Sequence, residues 1–313
     1  MMKILFMGTP DFAKESLEEI YNAGYEILGV VTNPDRPKGR GMKLVASPVK
    51  EYAVMKSLDI YQPENIKNNT EFIEQIKLLK PDVICVVAYG KILPKEILEI
   101  PRLGCINVHG SLLPKYRGAA PIQWAVINGD ETTGITTMYM DIGMDTGDMI
   151  LKEEVKIGSD ETTGELWNRL AKIGGQLLVK TLKQIENGTS PRISQTGEFS
   201  MAPMLDKQMS KIDWNSKSAI EIKNLVRGLD PIMGCYSFLD GKKIKIWKVD
   251  ILSEDDSDAP NGTVIKSDSK DGLYIKAKEG IIKVIEIQGE NSKRMKVQDF
   301  LRGNNITVGS RFE

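Results

Sequence analysis

Residues 81–90, PDVICVVAYG, are apolar at five successive positions, 83–87, between a Pro-Asp start and an Ala-Tyr-Gly end. A strand that is wet on one side alternates polar and apolar side chains, so an unbroken run belongs to a strand covered on both faces. Such a strand is at home in a parallel sheet with helices on either side, and the flanking sequence predicts one. KILFMG (3–8) is a strand, and TPDFAKESLEEIYNAG (9–24) is a helix with Thr9 as N-cap, Pro10 at its first position and Gly24 as terminator. YEILGVVT (25–32) is the next strand, and SPVKEYAVMKSLD (47–59) repeats the Ser-cap, Pro-start device. GCINVHG (104–110), a helix near 120–129, and strands in GITTMYM (134–140) and DMILKEEVKI (148–157) continue the alternation, which defines a doubly wound, mostly parallel α/β sheet.

A length of 313 residues exceeds what one core usually organises, and the pattern changes where a second domain is due. A helical spacing over 162–187 runs into turn formers without periodicity. Beyond them come one helix (218–230) and short strand-like runs, GCYSFL, KKIKIWKVDIL, GTVIKS, GLYIKA and IIKVIEIQG, the pattern of a small β-barrel. The expected organisation is a catalytic domain at 1–189, a linker at 190–208 and a C-terminal barrel at 209–313. Residues 1–206 carry 23 Lys/Arg against 27 Asp/Glu, and residues 207–313 carry 19 against 16. The mildly basic second part permits a polyanionic partner without requiring one. Cys85, Cys105 and Cys235 form no Cys-x-x-Cys pair and read as core thiols of a reducing compartment. No apolar stretch has the length of a secretory leader or a membrane span, so a cytoplasmic protein is expected.

The only histidine, His109, lies in INVHGSLLP at the carboxyl end of a strand, where open α/β sheets bind ligands. Alternation sets Asn107 and His109 on one face. An amide that can donate to an oxyanion then stands beside an imidazole that can move a proton, a pairing suited to carbonyl chemistry. On these residues alone, a histidine satisfied by backbone at a strand end is an equal reading. MDIGMDTGDMI (140–150) is a tight loop presenting Asp141, Asp145 and Asp148, any of which could orient the ring, while Asp141 and Asp148 also read as turn caps. The spacing is not that of a calcium loop and there is no second histidine, so no metal is expected. NPDRPKGRGMKL (33–44) reads as a basic loop in which Arg36, Lys38, Arg40 and Lys43 face Asp35 alone. It suits a phosphate-rich substrate or is an ordinary solvated loop. GTPDFA lacks the Gly-x-Gly-x-x-Gly spacing of a dinucleotide site and reads as a tight turn.

Taken together, FMGTPDFA, NPDRPKGRGMKLVASPVK, VVAYGKILP, GCINVHGSLLPKYRGAAPIQWAVINGD and DIGMDTGDM resemble the methionyl-tRNA formyltransferase family, and IDWNSKSAIEIKNLVRGLDP with GKKIKIWK resembles its appended barrel. The resemblance runs from end to end. It implies a Rossmann-like formyltransferase domain followed by an OB-like, tRNA-binding β-barrel. It also implies transfer of a formyl group from 10-formyltetrahydrofolate to initiator methionyl-tRNA for translation initiation. By resemblance, Asn107 holds the formyl oxygen, His109 transfers the proton and Asp145 pairs with it. Ser111, Leu112, Leu113 and Pro114 line the folate site, with Val87, Ala88, Tyr89, Gly90 and Asp141, Ile142, Gly143, Met144 addressing the pterin. Arg36, Lys38, Arg40 and Lys43 contact the tRNA. The expected partners are the tRNA and the folate co-substrate, with no metal and no membrane, and the expected state is a monomer. Two rivals share parts of this pattern: a formyltransferase acting on a sugar nucleotide or purine precursor, and a non-catalytic RNA-binding protein, which would not need Asn107, His109 and Asp145 together.

Overall fold

The computed structural model describes residues 2–38, 42–252 and 257–313, without the side chain of Lys38. The chain forms two compact units. The first comprises Met1–Pro121, Thr132–Lys156 and Trp167–Pro203, and the second Ile122–Glu131, Ile157–Leu166 and Met204–Glu313.

The strands of the first unit are β1 (Lys3–Gly8), β2 (Glu26–Val31), β3 (Arg36–Lys38), β4 (Lys43–Val45), β5 (Ile60–Tyr61), β6 (Val83–Val87), β7 (Cys105–His109), β8 (Thr132–Tyr139) and β9 (Met149–Lys156). Seven of them make one sheet in the order β5-β2-β1-β6-β7-β8-β9. The pairings from β5 to β7 are parallel, while β7–β8 and β8–β9 are antiparallel. The five apolar residues of β6 are all buried, as their lack of alternation predicts. The chain leaves β1 for β2 on one side and returns to β6 on the other, so the strand order reverses between β1 and β6. A crevice outside the carboxyl ends follows at that reversal.

The helices in chain order are α1 (Asp11–Asn22), α2 (Pro48–Met55), α3 (Thr70–Leu79), α4 (Lys95–Leu98), α5 (Pro121–Ile127) and α6 (Thr163–Glu186). Leu5, Met7, Ile84 and Val86 pack with Phe72, Ile76 and Ile97 from α3 and α4 on one side of the sheet. On the other side α6 comes close through Gly174 and Gly175. A Cβ at 174 would stand 3.1 Å from Val108 Cγ1 of β7, and one at 175 would stand 2.8 Å from Glu19 Cγ of α1. Each mid-helix glycine costs about 1 kcal/mol of helix propensity, and the pair lets α6 approach β7 at 174 and α1 at 175.

Two local expectations are corrected. Thr9 does not cap α1: Pro10 is the N-cap residue and no side chain caps the helix. The Thr9 hydroxyl is engaged instead by Asn33, whose backbone N–H and Nδ2 donate to Oγ1 at 3.4 and 3.1 Å. The basic stretch 33–44 is not loop throughout: among its described residues, β3 and β4 pair antiparallel. Its foot is pinned where Lys50 Nζ meets Asp35 Oδ2 at 2.6 Å and Gln62 Nε2 donates to Asp35 Oδ1 at 3.0 Å.

The second unit contains α7 (Ala219–Leu229), β10 (Cys235–Leu239), β11 (Lys242–Leu252), β12 (Val264–Asp268), β13 (Gly272–Lys276), β14 (Ile281–Gln288), β15 (Met295–Lys296) and α8 (Val297–Gly303). The order β10-β11-β14-β13-β12 is antiparallel throughout. The chain end closes this sheet into an OB-like barrel. Phe312 bridges Leu239 of β10, and Arg311 bridges Thr263 just before β12, so residues 311–312 engage both edges at once. Ile222, Leu225 and Leu229 of α7 fill the core with Ile246, Val284 and Phe312.

Candidate active site

β7 ends beside the strand-order reversal, with Val86 of β6 aligned to Asn107. The turn after β1 leaves no space at Gly8, where a Cβ would meet Ala13 Cβ at 2.6 Å and the Val87 carbonyl at 2.9 Å. GTPDFA is thus a packing turn. Asn107 is half-buried; its Nδ2 donates to the Val86 carbonyl at 3.3 Å. Nδ2 carries a second hydrogen, and Oδ1 is buried with no hydrogen-bond partner among the described residues.

His109, two residues on, is 6% exposed. Its Nε2 lies 2.8 Å from the Tyr116 carbonyl oxygen, and its Nδ1 lies 3.6 Å from Asp145 Oδ2. A carbonyl only accepts, so the hydrogen bond places an N–H on Nε2 and makes Nδ1 the nitrogen that gains or loses a proton. Asp145 Oδ2 also accepts from the Gly118 N–H at 2.8 Å, which fixes the carboxylate in front of Nδ1. Both Tyr116 and Asp145 hold left-handed backbone, with φ of 61° and 55°. Non-glycine residues rarely adopt it, and aspartate is among those that tolerate it best.

The other sequence-chosen residues fall into four groups. Ser111 is fully buried and its Oγ donates to the Lys115 carbonyl at 2.6 Å, so this hydroxyl ties its own turn. Leu113 is buried and its carbonyl accepts from Lys152 Nζ, while Leu112 and Pro114 are half-buried. At the end of β6 and just beyond it, Val87 and Tyr89 are buried while Ala88 and Gly90 are exposed, with φ of 44° and 77°. Asp141, Ile142, Gly143 and Met144 are exposed, and Asp141 Oδ1 accepts from the Gly143 N–H and Thr146 Oγ1 as a turn cap. Asp148 engages Ser194 and Arg192. Arg36 and Lys43 are exposed on β3 and β4; Arg40 and the Lys38 side chain lie outside the described residues.

Sequence reasoning passed over several contributors. The Tyr116 carbonyl and the Gly118 N–H are backbone groups, which no residue-type pattern reveals. Gln195 donates through Nε2 to the carbonyls of Asp145 and Gly147 at 2.8 and 2.9 Å. On the barrel, β10 and β11 present a face of Tyr236, Phe238, Lys243, Lys245 and Trp247. There Lys243 Nζ stands 3.6 Å from the Tyr236 ring centroid and Lys245 Nζ 5.1 Å from that of Trp247. The alternation of that face is legible in CYSFL and KIKIW.

This combination of sheet, histidine–carboxylate pair and neighbouring amide places the chain in a recognised class: residues 2–182 match the formyl transferase family and residues 204–305 the formyl transferase C-terminal domain. A methionyl-tRNA formyltransferase of Clostridioides difficile is 53% identical, with 98% of this chain and 99% of that protein covered. Another from Caldanaerobacter subterraneus is 51% identical, with 99% of each covered. The chain belongs to the methionyl-tRNA formyltransferase family. Its fold is also shared by an N-formyltransferase of Helicobacter canadensis solved with folinic acid and dTDP-3-aminofucose (TM-score 0.67, 21% identity, 91% of this chain and 99% of that one).

Proposed function

We propose that this chain transfers the formyl group of 10-formyltetrahydrofolate to the α-amino nitrogen of methionyl-tRNA, giving N-formylmethionyl-tRNA and tetrahydrofolate. The observation that carries the reading is His109 held between the Tyr116 carbonyl and the Asp145 carboxylate, two residues from Asn107 on one strand end.

The α-amine of an aminoacyl ester titrates near ~7.7–8, so a useful fraction is already neutral and attacks the formyl carbon without a strong base. As the carbon–nitrogen bond forms, the formyl oxygen becomes an oxyanion, and the spare Nδ2 hydrogen of Asn107 donates to it. Oδ1 of Asn107, buried with no partner among the described residues, accepts from a substrate N–H. Collapse breaks the bond to N10, which leaves poorly as an anion and needs a proton. His109 supplies that proton from Nδ1, because Nε2 is committed to the Tyr116 carbonyl, and it acts directly or through one water. The attacking nitrogen gives up one proton, so the ring is recharged and the reaction balances. Asp145 stabilises the charged imidazole and orients it.

Exposed backbone at Ala88 and Gly90 and the 141–144 turn offers groups for a pterin, with Leu112 and Pro114 flanking it. Arg36 and Lys43 on β3 and β4 suit the phosphates of the acceptor end. Asp35, the only acidic residue of the stretch 33–44, is engaged by Lys50. The β10–β11 face joins lysines to aromatic rings, a surface suited to RNA backbone and bases. The test is incubation of the purified chain with methionyl-tRNA and 10-formyltetrahydrofolate, followed by mass measurement of the released amino acid. A gain of one formyl group on methionine is expected. Unmodified methionine, with formyl transfer to an amino sugar nucleotide in a parallel reaction, would refute the reading.

A further inference from the structure

We infer that Gln195 is a positioning residue that sets the separation of Asp145 from His109 without touching substrate. The inference rests on the reading of His109 and Asp145 as the proton-transfer pair.

The two loops that meet at His109 lie outside the named strands and helices. One carries Tyr116, Arg117 and Gly118; the other carries Asp145. Residues 193–202 are laid across both. Ile193 pairs with Met149, at the end of the second loop, and Met201 pairs with Arg117 in the first. The Tyr116 N–H donates to Ser200 Oγ at 2.9 Å, and the Arg117 N–H to the Ser200 carbonyl at 2.8 Å. Gln195 sits between these anchors and joins the loops with one side chain. Its Nε2 donates to the carbonyls of Asp145 and Gly147, and its Oε1 accepts from Arg117 Nε and Nη2 at 3.0 and 2.7 Å.

Both amide hydrogens and the amide oxygen are therefore in use, and only a carboxamide of this length meets the demand. Glutamate keeps an acceptor for the Arg117 guanidinium but turns an acceptor-only group toward two carbonyls. Methionine keeps the length and loses every bond. The tie matters because Asp145 sits in left-handed backbone at φ 55°, a conformation that persists where the surroundings hold it. The bond to its own carbonyl restrains that peptide. Loss of the bond leaves the Gly118 N–H as a tie on the carboxylate but frees the peptide behind it, so the carboxylate shifts relative to Nδ1, while Tyr116 keeps its bond to Ser200.

The experiment is a double-mutant cycle on kcat for methionyl-tRNA formylation, using Q195M, Q195E and D145N, with kcat measured across pH and thermal unfolding recorded alongside. Q195M and Q195E are expected to lower kcat roughly tenfold or more, the scale on which supporting hydrogen-bond partners act. They are also expected to shift the pH dependence of kcat, which a purely structural role would leave alone. In the D145N background, either change at 195 should add little, because its effect passes through the carboxylate. Should Q195M fail to fold, Q195E, which retains the Arg117 contact, carries the test. Near-normal turnover of D145N would overturn the pair itself. An impaired D145N would leave the pair standing, and then a wild-type rate in Q195E, or an equal loss in both backgrounds, would overturn the role of Gln195.

Discussion

The crevice at the end of β7 and the outer face of β10–β11 are both polar, yet they are built differently. In the crevice each group has one place and one partner set: His109 is the chain's single histidine, bonded on one side and faced by Asp145 on the other, in a loop whose backbone is strained. On the barrel face charge is repeated, with Lys211, Lys243 and Lys245 each riding on a ring of Phe238, Tyr236 or Trp247. Bond-making needs a donor at one point in space, whereas a polyanion is held by a summed field. The two regions should therefore respond to single substitutions on different scales.

The largest effect belongs to the crevice. His109→Ala is expected to lower kcat by ~10²–10⁴, the usual worth of a positioned acid–base group. Asn107→Ala is expected to lower it by ~10²–10³, as removal of one oxyanion donor does elsewhere. Steady-state kinetics with circular dichroism as a fold control would check both. If either variant turns over at near the wild-type rate, the crevice is no more singular than the barrel face and the contrast collapses.

The units can also be compared through their buried thiols, two in the first and one in the second. Burial pushes the Cys105 thiol up to about 12, and it raises Cys85 and Cys235 as well. An unfolded thiol ionises near ~8.5. Above that pH the unfolded chain binds fewer protons than the folded one, so stability falls as pH rises, by up to about 1.4 kcal/mol per pH unit for each thiol. The loss is absent below the unfolded value. Between about pH 8.5 and 10, before tyrosines ionise, the thiols should thus cost the first unit more stability than the second, read from denaturant midpoints with site-resolved alkylation. Rapid labelling of any of the three under native conditions at neutral pH would contradict their burial.

How far the sequence disclosed all this follows the type of signal each part leaves. β6 was legible because an apolar run on both faces has few uses, and Asn107 with His109 because period two places them together. The antiparallel turn of β8 and β9 left no trace, since pairing direction depends on where the chain returns. Thr9 carries a cap signature that Asn33 pre-empts from the loop after β2. Tyr116 and Gly118 act through backbone atoms, so their side chains say nothing. Gln195 lies in a stretch of turn formers, and its role exists only because two loops distant in sequence converge on it. The crevice was readable in the side chains we propose as its reacting groups and silent in the frame that holds them.

The smallest effect is expected on the barrel, where it bears most directly on the comparison. Lys243 and Lys245 flank β10 side chains in register, opposite Phe238 and Tyr236. A lysine resting on an aromatic ring keeps its charge while its stem is ordered, so its removal subtracts one phosphate contact and leaves the ring available for stacking. Lys243→Ala and Lys245→Ala should each weaken tRNA binding roughly threefold at moderate salt and reduce the salt slope by about one contact, with the double variant close to additive. Single-turnover rates at saturating tRNA should not change. Nitrocellulose filter binding over a salt series separates the outcomes: an unchanged slope means that the face does not meet the polyanion. A fall in the saturating rate would mean instead that charge on the barrel reaches the chemistry, and the division between one singular crevice and one repetitive face would have to be abandoned.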